Sequence, residues 1–155
     1  MDINTYKKIV KFCSEECKRQ RSGELSVSDM FNAWMWTMGT CRDAVEKNDV
    51  VSVAAILKIG QIVEPKVNLR GFRRCAVMIG GHIKKPQDFD RALEHLCSSA
   101  IVSDPVEFFR QFEMIHPFED GNGRTGVILY NAMLNTLEDP QDPPDLRDPN
   151  FYRGA

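Results

Sequence analysis

The feature that most constrains this chain is a nine-residue loop between two strongly apolar stretches. The loop, residues 116–124, reads His-Pro-Phe-Glu-Asp-Gly-Asn-Gly-Arg. The stretch before it carries phenylalanines at helical spacing, and Asp104-Pro105 supplies a helix cap with proline in the first turn. Residues 125–137 are apolar on nearly every side, which is typical of a buried central helix. The sequence therefore predicts two core helices joined through a glycine-rich loop.

Most of the remaining chain also predicts helices, because apolar residues recur at helical spacing between glycine, serine and proline breaks. The predicted helices cover residues 4–21, residues 28–39 with Ser28 or Asp29 as the cap and a stop at Gly39, residues 42–62 up to Glu64-Pro65, and a segment capped by Asp88. A break is expected at Ser22-Gly23. The pattern indicates an all-α fold.

One segment departs from this helical pattern. Residues 68–86 combine β-branched residues with a Gly-Gly pair and end in proline, which favours a short extended segment or hairpin. The expected fold class is therefore all-α, a helical bundle with one small β-hairpin.

The composition is that of one domain with a tail. The chain has 155 residues, of which 43% are hydrophobic, enough for a single core. We expect the domain to occupy residues 1–137. Residues 138–155 are rich in proline and aspartate, which disfavours regular structure, although Phe151 and Tyr152 could anchor the end of this tail.

Charge and cysteine content narrow the possible partners and location. The net charge is only −2 and no basic run is present, so we expect no nucleic-acid partner. Five scattered cysteines without metal-ligand spacing indicate reduced thiols. No apolar run approaches the roughly 20 residues of a membrane span. We therefore expect no membrane association and a cytoplasmic location, in the cell of origin or in a host cell after delivery.

The glycines of the loop point to anion binding. Gly121, Asn122 and Gly123 can turn successive backbone N–H groups in one direction, because glycine accepts left-handed conformations and presents no Cβ to a ligand. This nest leads into a helix N-terminus, where unpaired N–H groups favour phosphate. Arg124 is poorly placed for the helix dipole by itself, and a bound polyphosphate would reverse that preference.

The other polar residues of the loop fit the same chemistry. Asp120 is a candidate Mg²⁺ ligand, since magnesium is commonly held by one or two carboxylates together with phosphate and water. His116 could accept a proton from an attacking hydroxyl. Phe118 between them is expected to point inward and anchor the loop. Singly, such a histidine or Asn-Gly pair is usually structural, and the case for function depends on their combination.

A rival motif also passes through this loop. Residues 121–126 formally match the dinucleotide-binding pattern GxGxxG. That pattern requires a preceding β-strand in a βαβ unit, whereas a helix and a proline-containing loop precede the glycines here. The match is coincidental.

The loop resembles the signature of the Fic (filamentation induced by cAMP) domain family, HPFx(D/E)GNGRxxR, and its first nine positions match without exception. Residues 70–81 resemble the family's target-binding flap and residues 104–116 its lead-in helix, so the resemblance covers about residues 25–137. It implies a helical fold with a hairpin flap and, for most members, transfer of AMP from ATP to a Ser, Thr or Tyr hydroxyl of a target protein.

The resemblance also implies a role for each residue. His116 would be the catalytic base and Asp120 the Mg²⁺ ligand. Gly121, Asn122 and Gly123 would form the anion hole, and Arg124 would hold phosphate. The flap would bind the target's main chain by β-augmentation. We expect it to consist of Cys75, Ala76, Val77, Met78, Ile79, Gly80, Gly81, His82 and Ile83.

One position departs from the signature: Val127 stands where the family has its second arginine. In the family that arginine engages the far end of the triphosphate or an inhibitory glutamate. Its loss leaves three alternatives: weakened AMP transfer, transfer of phosphate, UMP or phosphocholine, or a non-catalytic binding module. The inhibitory motif (S/T)xxxE(G/N) is also missing, so we expect any inhibition to come from a separate antitoxin-like protein.

Overall fold

The computed structural model of the chain describes residues 1–20, 23–46 and 51–144, and it is mainly helical. Its elements in chain order are α1 (Ile3–Arg19), α2 (Glu24–Glu46), α3 (Val53–Val63), α4 (Pro65–Asn68), β1 (Val77–Ile79), β2 (His82–Lys84), α5 (Phe89–Ser98), a 3-10 turn (Ala100–Ser103), α6 (Pro105–Ile115) and α7 (Asn122–Leu134). The expected all-α fold with one hairpin is confirmed.

In the part of the chain that the structure describes, side-chain caps start four of the helices. The carboxylates of Asp2, Asp88 and Asp104 each accept a hydrogen bond from a backbone N–H in the first turn of α1, α5 and α6, and the Ser52 hydroxyl does so for α3. Such caps satisfy N–H groups that have no partner inside the helix. The predicted caps at Asp88 and Asp104 are confirmed.

The predicted boundaries of the second and third helices were wrong. Helix α2 begins at Glu24 rather than after Ser28 or Asp29, and it continues through Gly39 to Glu46. A glycine inside a helix costs only about 1 kcal/mol relative to alanine, which packing of a long apolar helix outweighs. Helix α3 starts eleven residues later than predicted, at Val53 instead of Arg42, because Ser52 supplies its cap.

The hairpin between α4 and α5 is short and antiparallel. Val77 pairs with Lys84, Met78 with Ile83 and Ile79 with His82. Gly80 and Gly81 form its turn with φ of 54° and 83°, values that glycine adopts without strain and that two-residue hairpin turns require. Predicting an extended segment over residues 68–86 was therefore correct for the hairpin itself.

The core is centred on α7, which contacts α2, α3 and α6. Its largest fully buried side chains include Trp34 of α2, Phe108, Phe109 and Phe112 of α6, and Ile128 and Leu129 of α7. Helix α2 also contacts α1 and α3, while α6 contacts α5. Because α6 and α7 are both embedded in this core, the loop between them is fixed at both ends.

Helix α7 ends earlier than predicted, at Leu134, where Asn135 adopts a left-handed conformation. Residues 138–144 form no helix or strand, as expected. They are nevertheless attached to the bundle, because the Asn131 side chain exchanges hydrogen bonds with the main chain of Gln141 and Arg19 pairs with Asp142. The predicted anchors Phe151 and Tyr152 lie outside the described residues.

None of the helices in the described ranges is long and apolar enough to cross a membrane.

Candidate active site

His116 terminates α6 and opens the loop. It adopts a left-handed conformation with φ of 51°, unusual for a residue other than glycine, and its N–H closes the helix by donating to the carbonyl of Phe112. Its ring nitrogen Nδ1 lies 3.3 Å from the carbonyl oxygen of Glu113. Burial lowers the pKa of His116 below its usual range, and the charge of Arg73 acts in the same direction. The imidazole is thus kept neutral and able to accept a proton.

Two buried side chains fix the path of the loop behind His116. The Phe118 ring is fully buried and lies so close to Gly60 of α3 that a Cβ there would collide with it. The Asn122 side chain accepts a hydrogen bond from the Phe118 N–H at 2.9 Å and donates to the Phe118 carbonyl at 2.8 Å. The expected inward anchor at Phe118 is confirmed, and Asn122 has a role in shaping the loop.

The glycine-lined helix start has the backbone shape expected of an anion nest. Gly121 has φ of 78°, and α7 begins directly after it without a side-chain cap. The N–H of Gly121 donates to Oδ1 of Asp120 at 2.7 Å. At Gly123 the carboxamide of Gln20, at the end of α1, occupies the space where a Cβ would lie. Helix α1 therefore borders the nest.

Arg124 is buried inside the bundle. Only 2% of the residue is exposed, and its guanidinium lies 3.1 Å from the carboxylate of Glu64 and 3.7 Å from that of Asp120. It also donates to the carbonyl of Val63. The predicted phosphate-binding arginine thus has a carboxylate partner that the sequence interpretation did not identify.

Asp120 is well placed for a metal ligand, with 64% of its side chain exposed. No group of three His, Cys, Asp or Glu side chains in the described part of the chain could enclose a metal ion. A single exposed carboxylate next to an anion nest fits Mg²⁺, which keeps most of its water and binds phosphate oxygens. These residues do not form a closed zinc or calcium site.

Arg73 connects the hairpin to the loop, a role that the sequence analysis did not assign. Its Nε donates to the His116 carbonyl at 2.6 Å, and its own N–H donates to the Pro117 carbonyl. Its remaining nitrogens donate to carbonyls on both sides of the hairpin, those of Cys75, Lys84 and Lys85. The guanidinium is nearly buried and lies 4.8 Å from the centre of the Phe89 ring. Among several basic residues nearby, nothing in the sequence marked this one as the buried one.

The sequence analysis also missed Asn68, because nothing in the sequence marks this asparagine as a buried residue. Its side-chain amide donates to the carbonyls of Gly60 and Asp120, at 2.9 and 2.8 Å, and it is fully buried. It therefore ties the Asp120 end of the loop to α3.

Two of the predicted flap residues are shielded from solvent and the others are exposed. Ile79 is buried and Val77 half-buried, whereas the other predicted flap residues are exposed: Cys75, Ala76, Met78, Gly80, Gly81, His82 and Ile83. Met78 and Ile83 form a cross-strand pair. Through Arg73, which bonds the carbonyls of Cys75 and Lys84, the structure joins the root of this hairpin to His116.

Val127 stands where the family signature has its second arginine, and it is fully buried in the core.

Glu113, one turn of α6 before His116, is also buried. Its Oε1 lies where a Cβ of Gly126 would be, and it has no hydrogen-bond partner among the described residues. Burial raises the pKa of Glu113 well above its usual range, with the nearby Glu16 acting in the same direction. The buried carboxyl of Glu113 thus lies behind the loop, packed against the first turns of α7.

The fold and this loop define a helical domain with a small β-hairpin and a glycine-lined helix start. The profile of the Fic/DOC family matches residues 46–134. The chain belongs to the Fic/DOC family.

Several relatives carry names that describe their activity. The chain is 36% identical over 103 residues to a protein adenylyltransferase Fic of Aedes aegypti, covering 58% of this chain and 21% of that protein. It is 34% identical over 99 residues to a probable protein adenylyltransferase of Aquifex aeolicus (strain VF5), covering 57% and 31%. A protein adenylyltransferase Fic of Culex quinquefasciatus is 33% identical over 103 residues, covering 58% and 21%. The chain thus spans between a fifth and a third of these relatives.

Proposed function

We propose that this protein transfers AMP from ATP to a Ser, Thr or Tyr hydroxyl of a target protein. The observation that carries the proposal is the intact loop, in which a neutral His116 stands a few residues before a glycine-lined helix N-terminus. The names of its relatives support the same reaction.

In the proposed mechanism His116 accepts the proton of the target hydroxyl. The hydroxyl oxygen then bonds to the α-phosphorus of ATP, the bond from that phosphorus to the oxygen bridging to the β-phosphate breaks, and pyrophosphate leaves. The N–H groups at the start of α7 and the guanidinium of Arg124 stabilise the negative charge on the phosphate oxygens. Asp120 would hold Mg²⁺, which offsets further phosphate charge when bound. The base contributes on the order of a hundredfold to ten-thousandfold in rate.

The flap would hold the target. An extended target segment adds main-chain hydrogen bonds along a free edge of β1 or β2, which brings its hydroxyl toward the loop. Arg73 supports this geometry because it bonds both to the flap root and to the His116 carbonyl. A separate antitoxin-like protein that restrains the activity belongs to the same proposal.

The test is labelling of proteins in a cell lysate by the purified protein, Mg²⁺ and ATP labelled at the α-phosphate. We expect specific bands with the wild type and none with His116→Ala. Equal labelling by both proteins would overturn the mechanism. Parallel reactions with UTP, CTP, GTP and a choline-bearing nucleotide would identify a different donor.

A non-catalytic binding module is the second candidate, and specific contacts favour it. Arg124 is paired with Glu64, Gln20 borders the nest, and Val127 replaces an arginine. Calorimetry with ATP and Mg²⁺ separates the candidates. An enzyme binds ATP, Arg124→Ala weakens the binding, and Glu64→Gln, which leaves Arg124 in place, strengthens it. Absence of ATP binding, or binding insensitive to Arg124→Ala, would favour the module.

A further inference from the structure

The surroundings of the flap differ in charge from the rest of the molecule. Residues 64–85 contain six lysines and arginines and one acidic residue, Glu64, although the chain as a whole has a net charge of −2. Arg73 is buried at the root of the flap, and Glu64 forms an ion pair with Arg124. The exposed surface of this segment is therefore cationic on an otherwise acidic protein.

Three of these basic residues, Arg74, Lys84 and Lys85, lie at the root of the flap. The Arg73 guanidinium binds the carbonyls of Cys75, Lys84 and Lys85, so the two sides of the hairpin converge there. Arg74, Lys84 and Lys85 consequently surround the flap root. Arg74 and Lys85 are exposed, and none of the three forms an ion pair with a carboxylate in the described ranges. Their charge is available to a partner.

The middle of the flap is apolar. Met78 and Ile83 face each other across the two strands and are 70% and 69% exposed. Since a cross-strand apolar pair gains free energy only when it is covered, this pair is suited to an apolar side chain of a bound segment. Within residues 1–20, 23–46 and 51–144 the sheet has two strands, so neither strand has a partner at its outer edge there.

We propose that the flap selects extended target segments that are acidic and carry an apolar residue opposite Met78 and Ile83. This inference rests on the proposed function for the chemistry that follows binding. The acidic residues face the exposed Arg74 and Lys85, the apolar residue covers the Met78–Ile83 pair, and the main chain pairs with a strand edge. Charge complementarity of this kind steers association and rejects basic segments by repulsion.

The test is selection of randomised peptides with a fixed central threonine on immobilised His116→Ala protein, so that binding is measured without transfer. Relative to the input library, we expect Asp and Glu to be enriched about fivefold or more over Lys and Arg at low salt. The enrichment should shrink on raising salt from about 0.05 to about 0.3 M, where screening is stronger. Unchanged composition, or enrichment of basic residues, would overturn the proposal.

Matched variants locate the effect. Arg74→Glu with Lys85→Glu should abolish the acidic preference, whereas Lys7→Glu with Lys58→Glu changes the net charge equally at exposed positions of α1 and α3 and should leave it. Met78→Ser with Ile83→Ser should remove only the apolar preference. The same result for both charge reversals would overturn the proposal. So would displacement of the selected peptides by a DNA duplex or anionic vesicles at lower concentrations than by acidic peptide.

Transfer is scored separately from binding. If the wild type with ATP fails to modify the selected acidic peptides or any lysate protein, the proposed function fails while the peptide preference stands. If lysate proteins are modified but the peptide selection shows no acidic preference, the preference fails while the function stands.

Discussion

The loop and the flap, the two parts of the site, are held by different kinds of contact. The loop is fixed by core packing and by side chains that bond its main chain, with Phe118 and Asn122 buried inside it. The flap has two three-residue strands, its root is bonded by the Arg73 guanidinium and Ile79 is buried, while most of its other residues are exposed. A rigid loop suits chemistry that requires fixed geometry, and an exposed flap suits partners of different shape.

The largest effect is expected for Val127→Arg, in the helix that follows the loop. This substitution restores the residue type of the family signature. Because Val127 is fully buried, we expect the variant to lose about 3 kcal/mol or more of unfolding free energy, from burial of an unpaired charge. Urea denaturation measures the loss. Leu134→Arg is the control, since Leu134 lies on the same helix and is 36% exposed. Unchanged stability together with tighter ATP binding would show that this site accepts an arginine.

Arg73→Met tests the connection between the loop and the flap. The variant removes the donors to four carbonyls, and we expect a loss of roughly 1.5 to 3 kcal/mol of stability. The charge of Arg73 lowers the pKa of His116, so its removal should also shift the acid limb of the transfer rate to higher pH.

Arg91→Met, at an exposed position of α5, should change neither property. If Arg73→Met keeps both the stability and the pH profile of the wild type, Arg73 does not position His116.

A smaller effect is expected behind the loop, at Glu113. Its folded-state pKa is raised, so the folded state binds a proton that the unfolded state releases above a pH of about 4.5, and stability is lost as pH rises from there. Glu113→Gln should therefore gain thermal stability over the wild type toward pH 8, with the difference shrinking toward acid.

Glu107→Gln is the opposite case, because a hydrogen bond from Arg110 lowers the pKa of Glu107. That variant should be less stable than the wild type at neutral pH, with the difference closing as pH falls through the acidic range. Parallel trends for the two variants would contradict these assignments.

Local sequence rules were sufficient to predict features in which a single residue type has a single structural role. Asp88 and Asp104 cap helices, Gly80 and Gly81 turn the hairpin, and Phe118 points inward, all as predicted. Tertiary packing decided the rest. Helix α2 continues through Gly39, with Met38 buried just before that residue and Cys41 packed against the core just after it.

The polar network of the site also could not be predicted from the sequence. Arg73, Asn68 and Glu64 act on the loop from 43 to 60 positions away along the chain, and no local pattern separates them from surface residues of the same types. Their function depends on which groups the fold brings within hydrogen-bond distance.

The central claim, that the loop transfers AMP by means of His116, is tested most directly by the position of the label in ATP. Wild-type protein and His116→Ala are incubated with a lysate, Mg²⁺ and ATP labelled at either the α- or the γ-phosphate. We predict protein labelling from the α-position only, and only by the wild type. Labelling from the γ-position, or labelling that survives His116→Ala, would contradict this account.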